Sequence, residues 1–455
     1  MTLPPSLRAA LQPLVRRLRA IFGSTPPKAV KRAKPATQGK QTPVQKPAAR
    51  GKQTPPRKPA ARGKQPPARK PVARPRAAAK PAASRPSVQR PQEVRLRHSP
   101  PQGAPWRLLL LGGSNTVMKN GYVDGLIAAL SDRRGPPAGV TNLAVGGNST
   151  VHGLMIGLDA QDIASHDIAV IEYGVNDAKL AKDGRLDLWR AATEGLLRRL
   201  LTARPDLHVV FALFARRDMT QEFMFEPLDA TLELAAHYGA THRVSLVDID
   251  HLYRDVLFPG REDFAALYLD GAHYARPQIA GLTGALIAER ILGAPDRAAG
   301  PLPPPLWPGH FAEAQVIDLG KESDCVFENS RYRLQARRLA VGEKLTLDLP
   351  GPLAAVEYVS VVGAATLRIL EEGEARRTFH TRNVRMGEPK FPAFLVRCED
   401  LALKPWAEGL TGPRRVTFEA LADGDPGEVR KSVYQIPAAP GRADGVYITR
   451  LLCAP

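Results

Sequence analysis

At 455 residues the chain has room for about three domains of ~150 residues each, and with 44% hydrophobic residues it can bury a sizeable core. The net charge of +19 is unevenly placed: residues 1–100 hold 25 of the 64 Lys and Arg, 19 of the 43 Pro and one acidic residue, Glu93, which leaves +24 on this segment and −5 on the rest. That distribution argues against a folded basic surface gripping nucleic acid, but not against an arm that seeks polyanions.

The N-terminal segment 1–22 places Leu7, Leu11, Leu14, Val15, Leu18, Ile21 and Phe22 at helical spacing among arginines, with Pro13 interrupting. It reads as a short basic amphipathic helix suited to an anionic membrane surface or to a partner. Segment 23–104 contains a twelve-residue repeat, GKQTPVQKPAAR from Gly39, GKQTPPRKPAAR from Gly51 and GKQPPARKPVAR from Gly63. Ala, Pro and an occasional Val offer too little to bury against the entropy of ordering, so a disordered tail of polyproline character is expected. Between Gly23 and Pro105 there is no Phe, Tyr or Trp, hence no platform for base stacking and no expectation of sequence-specific nucleic-acid binding. No run approaches the eighteen or so apolar residues that cross a bilayer, and no secretory signal is evident. The expected compartment is the cytoplasm, with the tail peripheral to the inner membrane surface.

Segment 105–293 changes character. Short apolar runs at Trp106–Gly112, Val140–Val145, Ile168–Tyr173, His208–Phe214 and Val244–Ile249 read as buried strands. They alternate with helical patterns at Tyr122–Asp132, Val151–Ala164, Leu188–Ala203, Pro227–Tyr238 and Gln278–Leu292. The alternation predicts an α/β fold, a parallel sheet covered on both faces, with ligands beyond the carboxyl ends of the strands. Segment 294–309, with six prolines, reads as a linker. Segment 310–455 shows strand-like alternation in KLTLDL, TLRIL, RVTFEA and VYITRLL without a convincing helix, which predicts an antiparallel β-sandwich of roughly eight to ten strands. It is expected to select substrate without contributing to the catalytic triad.

Four blocks stand at the predicted active edge: LLGGSNT (Leu110–Thr116), NLAVGGNST (Asn142–Thr150), EYGVNDA (Glu172–Ala178) and LDGAHYARPQ (Leu269–Gln278). A serine hydroxyl becomes nucleophilic when a base takes its proton. His273 fits that role for Ser114, and Asp270, three residues before it, can fix the imidazole tautomer. The Ser114 and Gly147 amides and the Asn176 side chain are the candidate oxyanion donors. No cofactor is required. No histidine pattern such as HExxH points to a metal, and three cysteines without a CxxC pair argue against structural zinc or a disulfide framework.

In this order, Ser, Gly, Asn and then Asp-x-x-His, the blocks resemble the SGNH hydrolases, also called GDSL-type esterases and lipases, over residues 106–293. The resemblance implies a three-layer α/β/α fold of flavodoxin type. It makes Ser114 the nucleophile, Gly147 and Asn176 oxyanion donors, and Asp270 with His273 the rest of the triad. It also implies action on acyl esters of lipids, carbohydrates or thioesters. Where the family usually has Gly-Asp-Ser, this chain has Gly112-Gly113-Ser114, so support for the nucleophile turn must come from elsewhere, with Asn115 and Asn148 as candidates. The reading is a serine esterase acting through an acyl-enzyme, with an O-acylated carbohydrate or polysaccharide as the first substrate class by analogy. An O-acyltransferase acting on a polysaccharide and a non-catalytic module retaining the hydrolase fold are the alternatives. Structural roles are expected for His152, His166, His208, His237, His242 and His251. Met219, Phe223, Met224 and Phe225 are weighed as a lid or as core, Arg216 and Arg217 as an anion contact or a solvated pair. Tyr358, Phe391, Phe394 and Trp406 are weighed as a sugar platform or as core.

Overall fold

Why the apolar runs lack polar alternation is plain from the strands they form. In the computed structural model, β1 (Arg107–Gly112), β2 (Gly139–Asn142), β3 (Ile168–Glu172), β4 (His208–Leu213) and β5 (Val244–Asp248) make one parallel sheet in the order β2-β1-β3-β4-β5. The side chains of β1 alternate between two cores: Leu109 and Leu111 join one, Leu108 and Leu110 the other. With both faces covered, successive positions Leu108–Leu111 are all apolar. Besides a short helical stretch after β5 (Ile249–His251, continuing as a π-helix over Leu252–Leu257), the α/β part has α1 (Ser114–Val117), α2 (Tyr122–Arg134), α3 (Thr150–Met155), α4 (Ala160–Ala164), α5 (Gly174–Lys182), α6 (Leu186–Ala203), α7 (Glu222–Gly239) and α8 (Gln278–Leu292). Helices α2 and α8 cover one face, and α3, α6 and α7 the other. The strand order is flavodoxin-like, with its switch point beside β1.

The structure describes residues 105–156, 160–182, 184–217, 222–257, 265–296, 298–321, 323, 325–361, 363–382, 394–401, 412–422 and 444–455, and the side chains of 179, 181–182 and 222–225 are not described. The expected basic helix and repeat-bearing tail lie outside these residues, as do Met219, Phe391 and Trp406. The single helix expected over Val151–Ala164 is two, α3 and α4, and α7 begins five residues before the expected Pro227. Helix α5 was not foreseen, because GVND reads locally as a turn.

After residue 309 the described strands number eleven, slightly more than expected: β6 (Gln315–Asp318), β7 (Val326–Glu328), β8 (Arg333–Gln335), β9 (Arg337–Leu339), β10 (Lys344–Leu349), β11 (Leu353–Ser360), β12 (Thr366–Glu371), β13 (Glu374–His380), β14 (Leu395–Asp400), β15 (Arg414–Leu421) and β16 (Val446–Cys453). They form antiparallel sheets ordered β10-β15-β12-β13 and β14-β11-β16-β6, with β9 also on β16 and a small β7-β8 ribbon. Leu367, Ile369, Val416 and Phe418 pack with Val356, Tyr358, Ile448 and Leu451 to fill this β-sandwich-like lobe.

Strand β11 is buried at all eight positions because it lies between two cores. Leu353, Val356 and Tyr358 belong to the core of the sandwich, while Ala354 and Ala355 join Leu452, Ala454 and Cys398 in the core that also contains Val151, Leu154 and Met155 of α3. Helix α3, wholly buried, is therefore sandwiched between the parallel sheet and the C-terminal lobe. The proline-rich stretch is pinned along α6: Glu194 accepts hydrogen bonds from the Leu306 and Trp307 amides (2.6 and 2.8 Å), and Arg198 donates to the Pro303 carbonyl at 2.8 Å.

Candidate active site

Strand β1 ends at Gly112, and the chain turns through Gly113 so that Ser114 is the first residue of the single-turn helix α1. A helix leaves its first amides without internal partners, so the Ser114 N–H is among those not claimed by the helix. Facing that turn, the loop before α8 is closed by Leu269 N–H donating to the His273 carbonyl (2.8 Å) and by stacking of Tyr268 on Tyr274 at 4.9 Å. This closure brings His273 over Ser114. The His273 Nε2 to Ser114 Oγ distance is 2.7 Å, and His273 Nδ1 lies 2.8 and 2.9 Å from the two Asp270 oxygens. Asp270 Oδ1 also accepts from the Ala272 and His273 amides (2.8 and 3.0 Å), an Asx turn that fixes the carboxylate before it meets the ring. Burial pushes the Asp270 carboxyl up, but those amides and the His273 ring outweigh it and hold it below its ordinary value. The His273 side chain is 17% exposed and Asp270 51%, so the site opens to solvent on the carboxylate side. Asn115 ties the two loops together by donating to the Ala272 carbonyl at 3.2 Å.

The turn is held from below by a group that sequence reasoning passed over. Thr116 Oγ1 donates to Glu172 Oε2 at 2.9 Å and sits 3.0 Å from the Tyr122 hydroxyl. Glu172, the last residue of β3, is 1% exposed. Burial pushes its carboxyl up to about 8 against hydrogen bonds from Thr116, Gly113 and Asn115, so it keeps its proton at neutral pH. A lone glutamate ending an otherwise apolar strand was the available signal. Of the two expected substitutes for the missing aspartate, Asn115 does brace the turn, whereas Asn148 turns its side chain towards β14. A side chain at Gly113 would have to displace the Asn176 amide, since an idealised Cβ would lie 2.1 Å from Asn176 Nδ2.

The expected oxyanion donors converge on the same turn. Asn176, in the first turn of α5, donates one amide hydrogen to the Asn148 carbonyl (2.9 Å), which orients its nitrogen beside Gly113 and leaves a second hydrogen. Gly147 has φ +80°, a left-handed conformation that costs a residue with Cβ. Its neighbour Gly146 approaches Ser114, an idealised Cβ there standing 3.5 Å from Ser114 Cβ. Behind this loop Asp177 accepts from the Thr150 amide (2.7 Å), the Thr150 hydroxyl (2.5 Å) and Trp189 Nε1 (3.1 Å), and burial pushes its carboxyl up to about 7.

The loop 146–150 is also gripped by the C-terminal lobe, which no motif announced. Asn148 Nδ2 donates to the Val396 carbonyl at 3.2 Å and its Oδ1 accepts from the Cys398 amide at 3.0 Å, so one side chain pairs with the edge of β14 as another strand would. Ser149 Oγ donates to the Asp400 carboxylate at 3.1 Å, and His152 on α3 meets Glu357 of β11 at 2.8 Å in a pair that is 2% exposed on each side. Arg397, between the two β14 residues that Asn148 holds, lies with its guanidinium against Gly147.

The remaining candidates fall outside this geometry. His166 meets Thr141, His208 Ser245, His237 the Pro304 carbonyl, His242 Thr241 and His251 Asp255, all structural contacts. Tyr358 and Phe394 are 4% and 5% exposed and pack in the C-terminal cores, which removes both from a sugar platform. Among the described residues no group of three His, Cys, Asp or Glu could hold a metal.

Residues 110–276 match the model of the GDSL-like lipase/acylhydrolase family. No curated protein matches the chain in sequence. Among solved structures, the chain is similar to a two-domain esterase (CEX) active on acetylated mannans, co-crystallised with mannopentaose: TM-score 0.53, 14% identity, covering 77% of this chain and 90% of that one. A second structure of a two-domain esterase active on acetylated mannans gives TM-score 0.52 and 15% identity over 77% and 92% of the two chains. An acetylxylan esterase from Geobacillus stearothermophilus is 19% identical with TM-score 0.34, covering 44% of this chain and 99% of that one. The segment carrying Ser114 and His273 is thus a domain of the GDSL-like lipase/acylhydrolase family, a family of ester-bond hydrolases.

Proposed function

We propose that the protein is a serine esterase that removes short acyl groups, acetyl foremost, from O-acylated carbohydrate. The observation that carries the reading is the unbroken relay from the Asp270 carboxylate through His273 to Ser114 Oγ, with contacts of 2.7 to 2.9 Å. In the first half-reaction Ser114 Oγ attacks the ester carbonyl carbon while His273 Nε2 takes the hydroxyl proton, and Asp270 stabilises the imidazolium. The carbonyl oxygen becomes an oxyanion facing the Ser114 and Gly147 amides and the Asn176 amide. Collapse breaks the bond to the sugar oxygen, which leaves with the proton from His273. Water then attacks the acyl-serine, His273 takes its proton, and the carboxylic acid departs as Ser114 recovers its hydrogen.

The choice of a carbohydrate ester is supported by the likeness of this fold to the esterase active on acetylated mannans, which covers 77% of this chain. A fluorophosphonate should label Ser114, mapped by mass spectrometry. Ser114→Ala should lower turnover of aryl acetates and of acetylated mannan by at least about 10³-fold while leaving thermal unfolding nearly unchanged. Equal turnover by the variant would overturn the proposal.

A further inference from the structure

Everything in the relay comes from residues 114–273, but the oxyanion loop is completed by a residue far along the chain. An idealised Cβ on Gly147 would stand 2.1 Å from Arg397 Nη1 and 3.4 Å from its Cζ. The guanidinium thus fills the volume that a side chain on Gly147 would take. Its Nη1 lies 3.5 Å from the Gly146 carbonyl oxygen. That is long for a hydrogen bond, so the contact is chiefly the attraction of a full cation for a carbonyl dipole.

The Gly146 carbonyl and the Gly147 amide belong to one peptide unit. A cation at the oxygen end draws electron density through the amide and makes the N–H a stronger donor. It also holds the plane of that peptide, in a glycine pair that would otherwise turn freely. The position of Arg397 is itself fixed. Asn148 binds the backbone on either side of it, at Val396 O and Cys398 N, while β14 pairs with β11 through Arg397 and Tyr358 on its other edge. A planar guanidinium suits a post pressed flat against a backbone, where a lysine would offer only a point charge.

From this geometry we infer that Arg397 of the C-terminal lobe is a positioning residue for the esterase reaction: it sets the Gly146–Gly147 peptide so that the Gly147 amide meets the oxyanion, and it adds positive charge beside it. The inference rests on the esterase reading above. Its effect is felt where negative charge develops, in the transition state, and little in the ground state, so kcat should carry it.

The test uses the full chain with an aryl acetate. Arg397→Ala should lower kcat by roughly 10- to 100-fold with KM changed less than about twofold, the loss expected for weakening one oxyanion donor. Added guanidinium at non-denaturing concentration should restore part of the rate, and Arg397→Lys should fall between wild type and Arg397→Ala. A boronic acid that mimics the tetrahedral intermediate should lose affinity in parallel with kcat. The inference is overturned if kcat is unchanged, or if it falls without guanidinium rescue and only as far as the folded fraction falls in a parallel unfolding measurement. Wild-type protein that neither turns over the ester nor takes fluorophosphonate at Ser114 would instead defeat the esterase reading itself.

Discussion

The two halves of the site are built differently. The relay half is local: Asp270 and His273 share one Asx turn, and Asn115 bridges from the nucleophile turn to Ala272, all within the α/β lobe. The half proposed to hold the oxyanion is assembled from afar: Asn148 meets Cys398, 250 residues away in sequence, Ser149 meets Asp400, and α3 behind them is buried against β11 and β16. Proton transfer needs two side chains at a fixed short spacing, which one turn can supply. An oxyanion site needs a backbone held in an unusual conformation, and a glycine-rich loop holds it only when something outside the loop does. The C-terminal lobe contributes no member of the Asp270–His273–Ser114 relay, yet it holds the loop proposed to face the oxyanion.

Cutting the clamp should produce the largest effect on this division. In Asn148→Ala the buried Val396 carbonyl and Cys398 amide lose their partner, at roughly 1–3 kcal/mol for each group left unpaired. Stability should fall by about 2–6 kcal/mol in chemical denaturation, and kcat for an aryl acetate by about tenfold, the low end of losing an oxyanion donor. Fluorophosphonate should still find Ser114, because the relay half does not pass through Asn148. Destabilisation with kcat unchanged would show that β14 holds the lobe in place without shaping the oxyanion loop.

The same contrast decides what was legible in the sequence. The relay could be read because its members sit at fixed offsets within short blocks, and the five strands because a doubly covered sheet writes itself as apolar runs. Arg397 and Asn148 could not be read as partners, since their meeting depends on how β14 lies against the loop after β2 and no local pattern records that. Strand β11 escaped for a related reason: LAAVEYVS is buried on both faces, so the alternation that marked β10, β12, β15 and β16 is missing. Gly113 was legible as a departure from the family pattern, but not its physical counterpart, the Asn176 amide occupying the space of the absent side chain. Glu172 opens the block EYGVNDA at the end of β3, but nothing in that block marks it as the buried acid beneath the Ser114 turn.

Glu172 sharpens the comparison through pH. Its folded carboxyl is raised to about 8 from 4.5, and that of Asp177 to about 7 from 3.8. Both are acids that the folded state keeps protonated after the unfolded chain has released its protons. Between the two values the native protein holds more protons, so stability falls as pH rises, by up to ~1.4 kcal/mol per pH unit for each group, and the decline ends above the folded pKa. Glu172→Gln replaces the neutral carboxyl with a neutral amide of the same shape. The unfolding midpoint of the variant should therefore decline less steeply between pH 5 and 8 than that of wild type, while Asp177, behind the oxyanion loop, keeps its share. Identical pH slopes in the two proteins would mean that Glu172 is ionised in the fold and that the relay half is braced by a charge.

The N-terminal 100 residues should matter least to either half, and we propose that their role is tethering. They carry +24 with one acidic residue, which makes attraction to an anionic surface strong at low ionic strength, and from Gly23 onwards they offer no aromatic ring for selective stacking. Removing residues 1–100 should leave kcat and KM for a soluble aryl acetate within about twofold, because among the described residues the contacts that build the relay and the loop 146–150 lie after Arg107. Sedimentation with vesicles rich in anionic lipid should show the full chain bound at about 50 mM salt and released by about 500 mM, as screening shortens the reach of each charge. The shortened protein should remain in the supernatant at both. Vesicle binding that survives the truncation, or that ignores salt, would overturn the tethering proposal, since residues 101–455 carry a net −5.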